Sequence, residues 1–346
     1  MNHCDSHWLA VAYFSLFWAS VAIAEDDQVF LRRGGVVAGT LSTMSPTEVT
    51  MQVGEQNKKV SVAEIRLVSF ADEPTELREA RSRAVAGKYS QAQQDLQRVP
   101  EVNEAAKNIR SDLRFYRALV DARMALTSGG DKALASEAML DFVRSAPTSY
   151  HFFEAAEVLG DLAVAQGEYA SAVRYYGSIA SKAPWPVYKM HASLLEARAL
   201  IDQGKITEAK AKYQSVVEQP SRAVEAKRLK VFATIGLARC VAEDGDPTQG
   251  VQAIQKVIKD HDSSDTELFG RAYNVLGDCY RVAKQPKDAL MAYLHVDVLF
   301  YAEPEVHAES LHWIAQLWEE AGKSDRATVA RNLLANRYGG SRWSEK

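Results

Sequence analysis

Residues 28–70 alternate between apolar and polar side chains with a period of two. Val29 and Leu31 begin the alternation, and four further short runs of the same kind follow. Successive side chains of a strand point to opposite faces, so this period indicates half-buried strands. Turn-forming residues separate the runs, for example Gly34–Gly35 and Ser45–Pro46. The pattern predicts five short β-strands.

Five strands within about 45 residues are too few to bury the core of a sandwich. We therefore expect them to close into a small barrel, whose curvature removes exposed strand edges. The stretch VFLRRGGVVAGTLSTMSPTEVTMQV, residues 29–53, resembles Sm-like or SH3-like small barrels. That resemblance implies RNA or peptide binding. A simpler reading of Arg32 and Arg33 is that they are solvated side chains at a turn.

From Pro74 onward the strand pattern ends and a helical repeat takes its place. A glycine or polar break is followed five residues later by alanine, and four residues after that usually by an aromatic or aliphatic residue. Two of the units are less regular. Such a period predicts stacked helical hairpins. The breaks are 37 to 43 residues apart and lie at Gly87, Gly129-Gly130, Gly167, Gly204, Gly245, Lys284 and Gly322.

Small and large residues recur together at fixed offsets within these units. One unit places Gly277 and Ala289 where its two helices should cross, with Tyr293 as the filling residue. Two helices can approach closely only where one position on each lacks bulk. Another unit repeats the arrangement, and a third carries Ala197 where glycine is usual.

This combination resembles the tetratricopeptide repeat. The resemblance implies a mostly α fold: a TPR-type α-solenoid of about seven helical hairpins, preceded by the small all-β barrel domain. The predicted domains are a signal peptide at residues 1–24, the β-barrel at 25–72, the solenoid at 73–340 and a C-terminal tail at 341–346.

The signal peptide rests on an uncharged apolar run from Trp8 to Ala24, which ends in Ala22-Ile23-Ala24 and is followed at once by acidic residues. A small-x-small motif at this place is typical of a cleavage site. The segment before the run lacks Lys and Arg, so an uncleaved N-terminal membrane anchor is the alternative. We expect an exported protein of the periplasm or cell envelope.

Composition adds little to this picture. A hydrophobic fraction of 47% with 25% charged residues is ordinary for a globular protein and excludes a disordered chain. The formal net charge of −4 gives no basic excess, and an exported protein rarely meets RNA, so nucleic acid is not an expected partner. The three cysteines form no CxxC pair; Cys240 and Cys279 could form a disulfide or remain buried thiols.

The sequence contains no recognisable catalytic motif, so we expect neither an enzyme nor a cofactor. The nearest approach to a metal site is His307, Glu309 and His312. Its histidines are five residues apart, whereas a helix brings residues four apart onto one face. We therefore predict no metal site.

A TPR resemblance implies a concave groove, lined by the first helix of each hairpin, that binds protein segments. The groove-facing positions lie six and three residues before the small anchor residue, and one and four after it. Basic residues fall in the central units and acidic residues in the flanking ones, which would orient an extended partner with its acidic part at the centre. The predicted partner-binding residues are Glu157, Asp161, Arg198, Lys230, Arg271, Asn274, Asp278, Arg281, His312 and Gln316.

The predicted function is a non-catalytic protein–protein interaction scaffold. An envelope assembly or lipid-handling factor acting at the membrane is the first alternative, and a repeat-containing enzyme is the second. The paired Lys and Asn residues with which some TPR proteins clamp a C-terminal carboxylate are not at the groove offsets. The partner is expected to be a protein or peptide, and self-association into a homo-oligomer is left open by the sequence.

Overall fold

The computed structural model describes residues 26–344, so the predicted signal peptide lies outside the described residues. The chain begins with five antiparallel strands, as the alternation predicts. They form one sheet in the order β4-β3-β2-β1-β5. The strands are β1 (Asp27–Leu31), β2 (Val36–Met44), β3 (Glu48–Val53), β4 (Gln56–Ser61) and β5 (Ile65–Ser69).

The expectation of a closed barrel is wrong. β4 and β5 are the two edges of the sheet, and no pairing joins them among the described strands. Closure is not needed to bury the sheet, because its apolar residues pack into the same core as the first helices. The β5 edge is also covered, since the Val68 amide donates to the Tyr150 hydroxyl at 3.4 Å. The α4–α5 connection thus protects the β5 edge, which in a closed barrel would be protected by strand pairing.

Fourteen helices follow in the described residues, and consecutive helices pair into seven hairpins, which confirms the predicted solenoid. They are α1 (Thr75–Val85), α2 (Tyr89–Arg98), α3 (Lys107–Thr127), α4 (Lys132–Ser145), α5 (Phe152–Ala165), α6 (Tyr169–Lys182), α7 (Pro186–Asp202), α8 (Ile206–Glu218), α9 (Val224–Glu243), α10 (Pro247–Asp260), α11 (Thr266–Val282), α12 (Pro286–Leu299), α13 (Pro304–Glu320) and α14 (Ser324–Arg337).

Each predicted break lies in the turn between the two helices of a hairpin. Gly167 and Gly204 have φ values of 75° and 79°, in the left-handed region that glycine enters without steric cost. Lys284 occupies the equivalent turn with φ of 58°. The recurrence of this backbone shape is the reason that glycine marks the repeat so clearly in the sequence.

Glycine and tyrosine form a repeated contact inside two hairpins. An ideal Cβ on Gly160 would lie 2.2 Å from the Tyr176 ring, and one on Gly277 would lie 2.5 Å from the Tyr293 ring. In both hairpins the tyrosine hydroxyl donates to the aspartate that follows the glycine, at 2.8 Å and 2.7 Å. The close approach predicted from small and large residues is therefore confirmed in these hairpins.

A buried charge cluster joins the sheet to the solenoid. Arg81 of α1 donates to both carboxylate oxygens of Glu73, at 2.9 Å and 2.6 Å, and to Asp112 of α3 at 2.7 Å. His151 contacts the other Asp112 oxygen at 3.0 Å. Because hydrophobic residues of the sheet and of the first three hairpins share one core around this cluster, the sheet has a fixed position beside the helices. The division at residues 72 and 73 stays a prediction.

Residues 338–344, here called the C-terminal segment, fold back onto the solenoid after α14. The Gly340 amide donates to the Thr127 carbonyl at the end of α3, at 3.3 Å. Arg342 pairs with Asp202 at the end of α7 and with Glu305 at the start of α13. The Trp343 indole donates to Glu305 at 3.0 Å. Residues 341–344, predicted from the sequence to be a tail, thus pack against α7 and α13.

Candidate partner-binding groove

The first helices of the hairpins enclose two adjacent cavities. The larger, of about 900 Å³, lies between the β1–β2 turn and helices α3, α5 and α7, and is here called the sheet-side cavity. The smaller, of about 240 Å³, lies among α7, α9, α11 and the C-terminal segment, and is called the central cavity. His191 of α7 lines both. The two cavities therefore adjoin at the His191 side chain, and together they are called the groove.

The sheet-side cavity combines aromatic and charged walls. Trp185 and Tyr188, at the start of α7, have ring centroids 4.9 Å apart. Arg32 from the β1–β2 turn also lines the cavity, and Arg33 beside it pairs with Glu225 of α9 at 4.0 Å. The turn that resembles part of an Sm-like barrel thus lies at the mouth of the groove, beside the solenoid.

Glu157 and His191 face one another where the cavities meet, with 3.6 Å between Oε2 and Nδ1. Burial, with a further contribution from Asp161, raises the pKa of Glu157 to about 8. Burial also lowers the pKa of His191, and Arg198 and Arg271 lower it further. Both shifts favour the uncharged form. Glu157, one of the predicted site residues, therefore changes its charge near neutral pH.

Asp161 is engaged within the protein. Its Oδ2 accepts from Arg123 of α3 at 2.9 Å, and its Oδ1 accepts from the Tyr176 hydroxyl. Asp161 therefore joins two consecutive hairpins of the solenoid, and its carboxylate is already neutralised by a cation.

The central cavity has an apolar wall crossed by arginines. Leu194 and Leu195 of α7 line it together with Phe232 of α9. The Phe232 ring lies 4.6 Å from the guanidinium carbon of Arg228 and 5.6 Å from that of Arg271. Such cation–π contacts hold a guanidinium group in place by its face and leave the N–H groups at its edge able to donate to oxygen atoms.

Each carboxylate of the central cavity is paired with a cation. Glu267 accepts from both Arg228 at 2.8 Å and Arg271 at 2.9 Å. Arg239 lies 4.0 Å from Glu309 and 3.4 Å from Asp278. The other two lining carboxylates, Asp202 and Glu305, pair with Arg342.

Arg198 differs from these arginines. It is half-buried and lines the central cavity, but it makes no ion pair or hydrogen bond to the residues between 26 and 344. Its place in the repeat explains this. In two other hairpins a glycine is followed by the aspartate that accepts from a tyrosine, whereas α7 has Ala197 followed by Arg198.

Tyr213 of α8 also differs from the tyrosines of the two glycine–tyrosine hairpins. It lies sixteen residues after Ala197, the spacing found in the glycine–tyrosine hairpins. Instead of a glycine in its own hairpin, its ring contacts Gly236 of the following helix, where an ideal Cβ would come within 2.3 Å. The hairpin of Gly236 lacks a tyrosine at this spacing, since the residue sixteen positions after Gly236 is Gln252.

Helix α9 presents other residues to the central cavity than the repeat offsets predict. The α9 residues lining the cavity include Arg228, Phe232 and Arg239, and Lys230 is not among them. Unlike Gly160 and Gly277, Gly236 packs on the tyrosine of the preceding hairpin. The glutamine at position 252 is the sequence signal of this difference.

The α11 residues are close to their expected places. Asn274 and Arg271 line the central cavity, and Asn274 Nδ2 donates to the Val306 carbonyl at 2.8 Å and to Glu309 at 3.1 Å. The Asn274 side chain is almost fully buried, and its Oδ1 accepts no hydrogen bond from the described residues. Asp278 is also buried, where Tyr293 donates to it.

The remaining predicted residues lie toward the C-terminal end. The Arg281 guanidinium carbon lies 3.2 Å from the centre of the Trp313 ring, and Arg281 pairs with Asp278 at 3.4 Å. His312 contacts Gln316 at 2.9 Å and the Trp343 carbonyl at 3.3 Å. The C-terminal segment thus already occupies the groove next to His312.

The candidates for metal and thiol chemistry are placed separately. His307 contacts the Tyr338 hydroxyl at 2.7 Å and Asp297 at 2.8 Å. Over residues 26–344, no cluster of three His, Cys, Asp or Glu side chains could hold a metal ion. Cys240 and Cys279 are both buried free thiols. No helix in the described part of the chain is long and apolar enough to cross a membrane.

Comparison with known proteins agrees with this architecture. Residues 154–296 match the family model of a tetratricopeptide repeat-like domain. A tetratricopeptide repeat protein from Parabacteroides merdae ATCC 43184 is similar over 79% of this chain and 98% of its own, with 14% identity and a TM-score of 0.54. A Rap protein complexed with Competence and Sporulation Factor is similar over 78% of this chain and 77% of its own, with 12% identity and a TM-score of 0.51.

No curated protein matches the chain. At 14% and 12% identity, the similarity to the solved structures indicates a shared fold and nothing more. The hairpins and the glycine–tyrosine contacts establish the same fold independently. The described residues therefore have the fold of a tetratricopeptide repeat-like α-solenoid preceded by a small, open β-sheet domain.

Proposed function

We propose that this protein is a non-catalytic interaction scaffold of the periplasm or cell envelope, which binds an extended segment of a partner protein in its groove. The observation that carries the proposal is that two cavities adjoin at His191 on the face formed by the first helix of each hairpin. Adjoining cavities with apolar and charged walls suit a chain that lies along these helices.

The side chains of the groove support binding of a polypeptide. Leu194, Leu195 and Phe232 offer an apolar wall for side chains of the partner. Asn274 has a buried carbonyl oxygen without a donor, and a buried acceptor of this kind is costly to leave unsatisfied. A backbone N–H of the partner would satisfy it. The Rap protein of similar fold, which is complexed with Competence and Sporulation Factor, is consistent with this use of the solenoid.

Site-specific photocrosslinking in cells tests the groove. A photoreactive phenylalanine analogue replaces Leu195, which lines the central cavity, and in a control replaces Lys287, which is exposed on α12. We expect partner adducts from position 195 and none of the same mass from position 287. Adducts from position 287 alone would show that the partner binds outside the groove.

Export is tested separately. The small-x-small motif predicts that the mature chain begins at Glu25. Intact-mass measurement of the protein from the envelope fraction should give residues 25–346. A mass that includes residues 1–24 would support the N-terminal anchor instead.

An envelope assembly or lipid-handling role at the membrane is the second candidate, and one observation favours it. Met291, Val298 and Leu299 of α12 are exposed apolar side chains, and the seven-residue spacing of Met291 and Val298 places these two on one face of the helix. Exposed apolar patches mark protein or membrane contacts. The mature chain would then sediment with membranes at low salt, and Val298→Lys would release it.

A further inference from the structure

The groove contains a cation that the fold does not use. Of the five arginines lining the central cavity, four pair with carboxylates of the described residues, and Arg198 does not. The four lining carboxylates are held by those other arginines. Arg198 could therefore gain a partner of its own only from outside the described chain.

The position of Arg198 in the repeat points the same way. In hairpins α5/α6 and α11/α12 the corresponding residue is an aspartate that accepts from the tyrosine of its own hairpin. In α7 an arginine stands there, and Tyr213 contacts Gly236 of the next hairpin. Because α7 lacks the tyrosine–aspartate contact of the preceding hairpin, its arginine at this position is a candidate for function.

One neighbour makes the site more positive. Arg271 lines the same cavity, and burial together with the Arg198 charge lowers the pKa of Arg271 to about 10, so the Arg271 guanidinium is charged at neutral pH. The one carboxylate paired with Arg271 is Glu267, which Arg228 shares. The wall of the central cavity as a whole has five arginines and four carboxylates, so it has one cation in excess.

The size and composition of the cavity restrict the ligand. A space of about 240 Å³ holds a side chain or a chain terminus, and it adjoins the larger cavity at His191. Four carboxylates in the wall disfavour a dianion such as phosphate. A carboxylate carries a single charge and matches the two parallel N–H groups of a guanidinium.

We propose that Arg198 is the anchor of a carboxylate subsite, with Arg271 beside it, that receives an Asp or Glu side chain or the terminal carboxylate of the bound partner segment. The subsite rests on the proposed function, since it needs a polypeptide in the groove. It gives the groove a fixed register, because a buried charge binds at one place along the partner chain.

Selection from a displayed library of random nonapeptides tests the subsite on the mature protein. One library has free C-termini, and a second has the peptides followed by a constant C-terminal extension. Wild-type protein should enrich peptides with Asp or Glu at one position in both libraries if a side chain is bound. Enrichment confined to the first library indicates a terminal carboxylate.

A double-substitution comparison identifies Arg198 as the residue responsible. A selected peptide and its variant lacking the carboxylate, by Glu→Gln or by C-terminal amidation, are measured against wild type and Arg198→Gln by fluorescence anisotropy. We expect the carboxylate to contribute at least tenfold to the affinity of wild type and less than twofold to that of Arg198→Gln. Lys230→Gln, which removes the same charge outside the cavity, should behave as wild type.

The outcomes separate the two proposals. Selection of peptides without any carboxylate preference, or a preference that Arg198→Gln retains, overturns the subsite and leaves the groove intact. Failure of wild type to enrich any peptide overturns the groove, and the subsite with it. Unchanged melting temperatures of the variants show that altered binding is not the result of unfolding.

Discussion

Arg81 and Asp112 form a fully buried ion pair, with 2.7 Å between Nη2 and Oδ2. The pair connects α1 to α3, and through Glu73 and His151 it reaches the end of the sheet and the start of α5. Burial alone would raise the pKa of Asp112, but the nearby Arg81 charge and the His151 hydrogen bond outweigh burial and lower it. The cluster is therefore the polar centre of the junction between the two parts of the molecule.

Removing Asp112 should destabilise that junction strongly. Asp112→Ala leaves Arg81 buried with one counter-ion in place of two, and breaking a buried ion pair costs about 3 to 5 kcal/mol. Urea unfolding followed by far-UV circular dichroism measures the loss. Asp141→Ala is the matched control, since its pair with Arg144 is exposed and should contribute no more than about 1 kcal/mol. Equal losses in the two variants would contradict the described cluster.

Two glycines in helices should respond to alanine with opposite signs. A Cβ at Gly277 would lie 2.5 Å from the Tyr293 ring, so Gly277→Ala forces the two helices apart and should cost about 1 to 3 kcal/mol. A Cβ at Gly177 would have its nearest neighbour at 3.7 Å. Gly177→Ala should therefore stabilise the protein by about 0.5 to 1 kcal/mol, because alanine loses less backbone entropy. Thermal unfolding of both variants checks the signs.

The Glu157 side chain should make the stability depend on pH. Its pKa of about 8 in the folded state is above that of an unfolded glutamate, so the folded protein binds the extra proton and loses stability as the pH rises from about 4.5 to 8. Glu157→Gln removes this dependence. The groups facing Glu157 are Asp161, Arg123, Glu154 and His191.

We measure melting temperatures of wild type and Glu157→Gln at pH 5 and pH 8.5. The variant should gain stability relative to wild type at pH 8.5 and little at pH 5. The lowered pKa of His191 has the opposite effect, because it reduces stability as the pH falls below about 6.5. This effect is present in wild type and in the variant. About a third of the Glu157 side chain is exposed, so high salt should reduce the difference. A difference that is equal at the two pH values would contradict the raised pKa.

Gly340 should control the docking of the C-terminal segment. A Cβ there would lie 2.4 Å from the Ala125 carbonyl oxygen and 2.6 Å from the Gly129 amide nitrogen, both of which are backbone atoms. Gly340→Ala should therefore release the segment, and hydrogen exchange of residues 338–344 should increase at least tenfold. Gly339→Ala meets its nearest backbone atom at 3.1 Å and should change exchange much less. Equal protection in both variants would place the segment elsewhere.

The hairpins were predictable because their turns and crossings need particular residue types. The left-handed turn at Gly167 and the contact between Gly160 and Tyr176 are local constraints, visible at fixed spacing. The open sheet was not predictable in this way, since whether an edge is covered depends on residues far along the chain, such as Tyr150 in the connection between α4 and α5.

The site was legible only in part for a similar reason. Arg198 and Arg271 lie where the repeat offsets place them. Arg228 and Arg239 were missed because the face of α9 that lines the cavity does not follow the offsets counted from Gly236, whose tyrosine neighbour belongs to the preceding hairpin. Arg342 was missed because the return of the C-terminal segment leaves no periodic signal in the sequence.

The C-terminal segment gives the molecule an order of assembly in time. In an open solenoid each repeat contacts only its neighbours, so folding can follow the chain from one end. Here Arg342 pairs with Asp202, 140 residues earlier, and Gly340 hydrogen-bonds to Thr127. Contacts of such long sequence separation form late, because the loop between them must first be closed. A chain that emerges N-terminus first can stack all seven hairpins before its last residues arrive, and until then any partner meets an open arc with Asp202 uncovered.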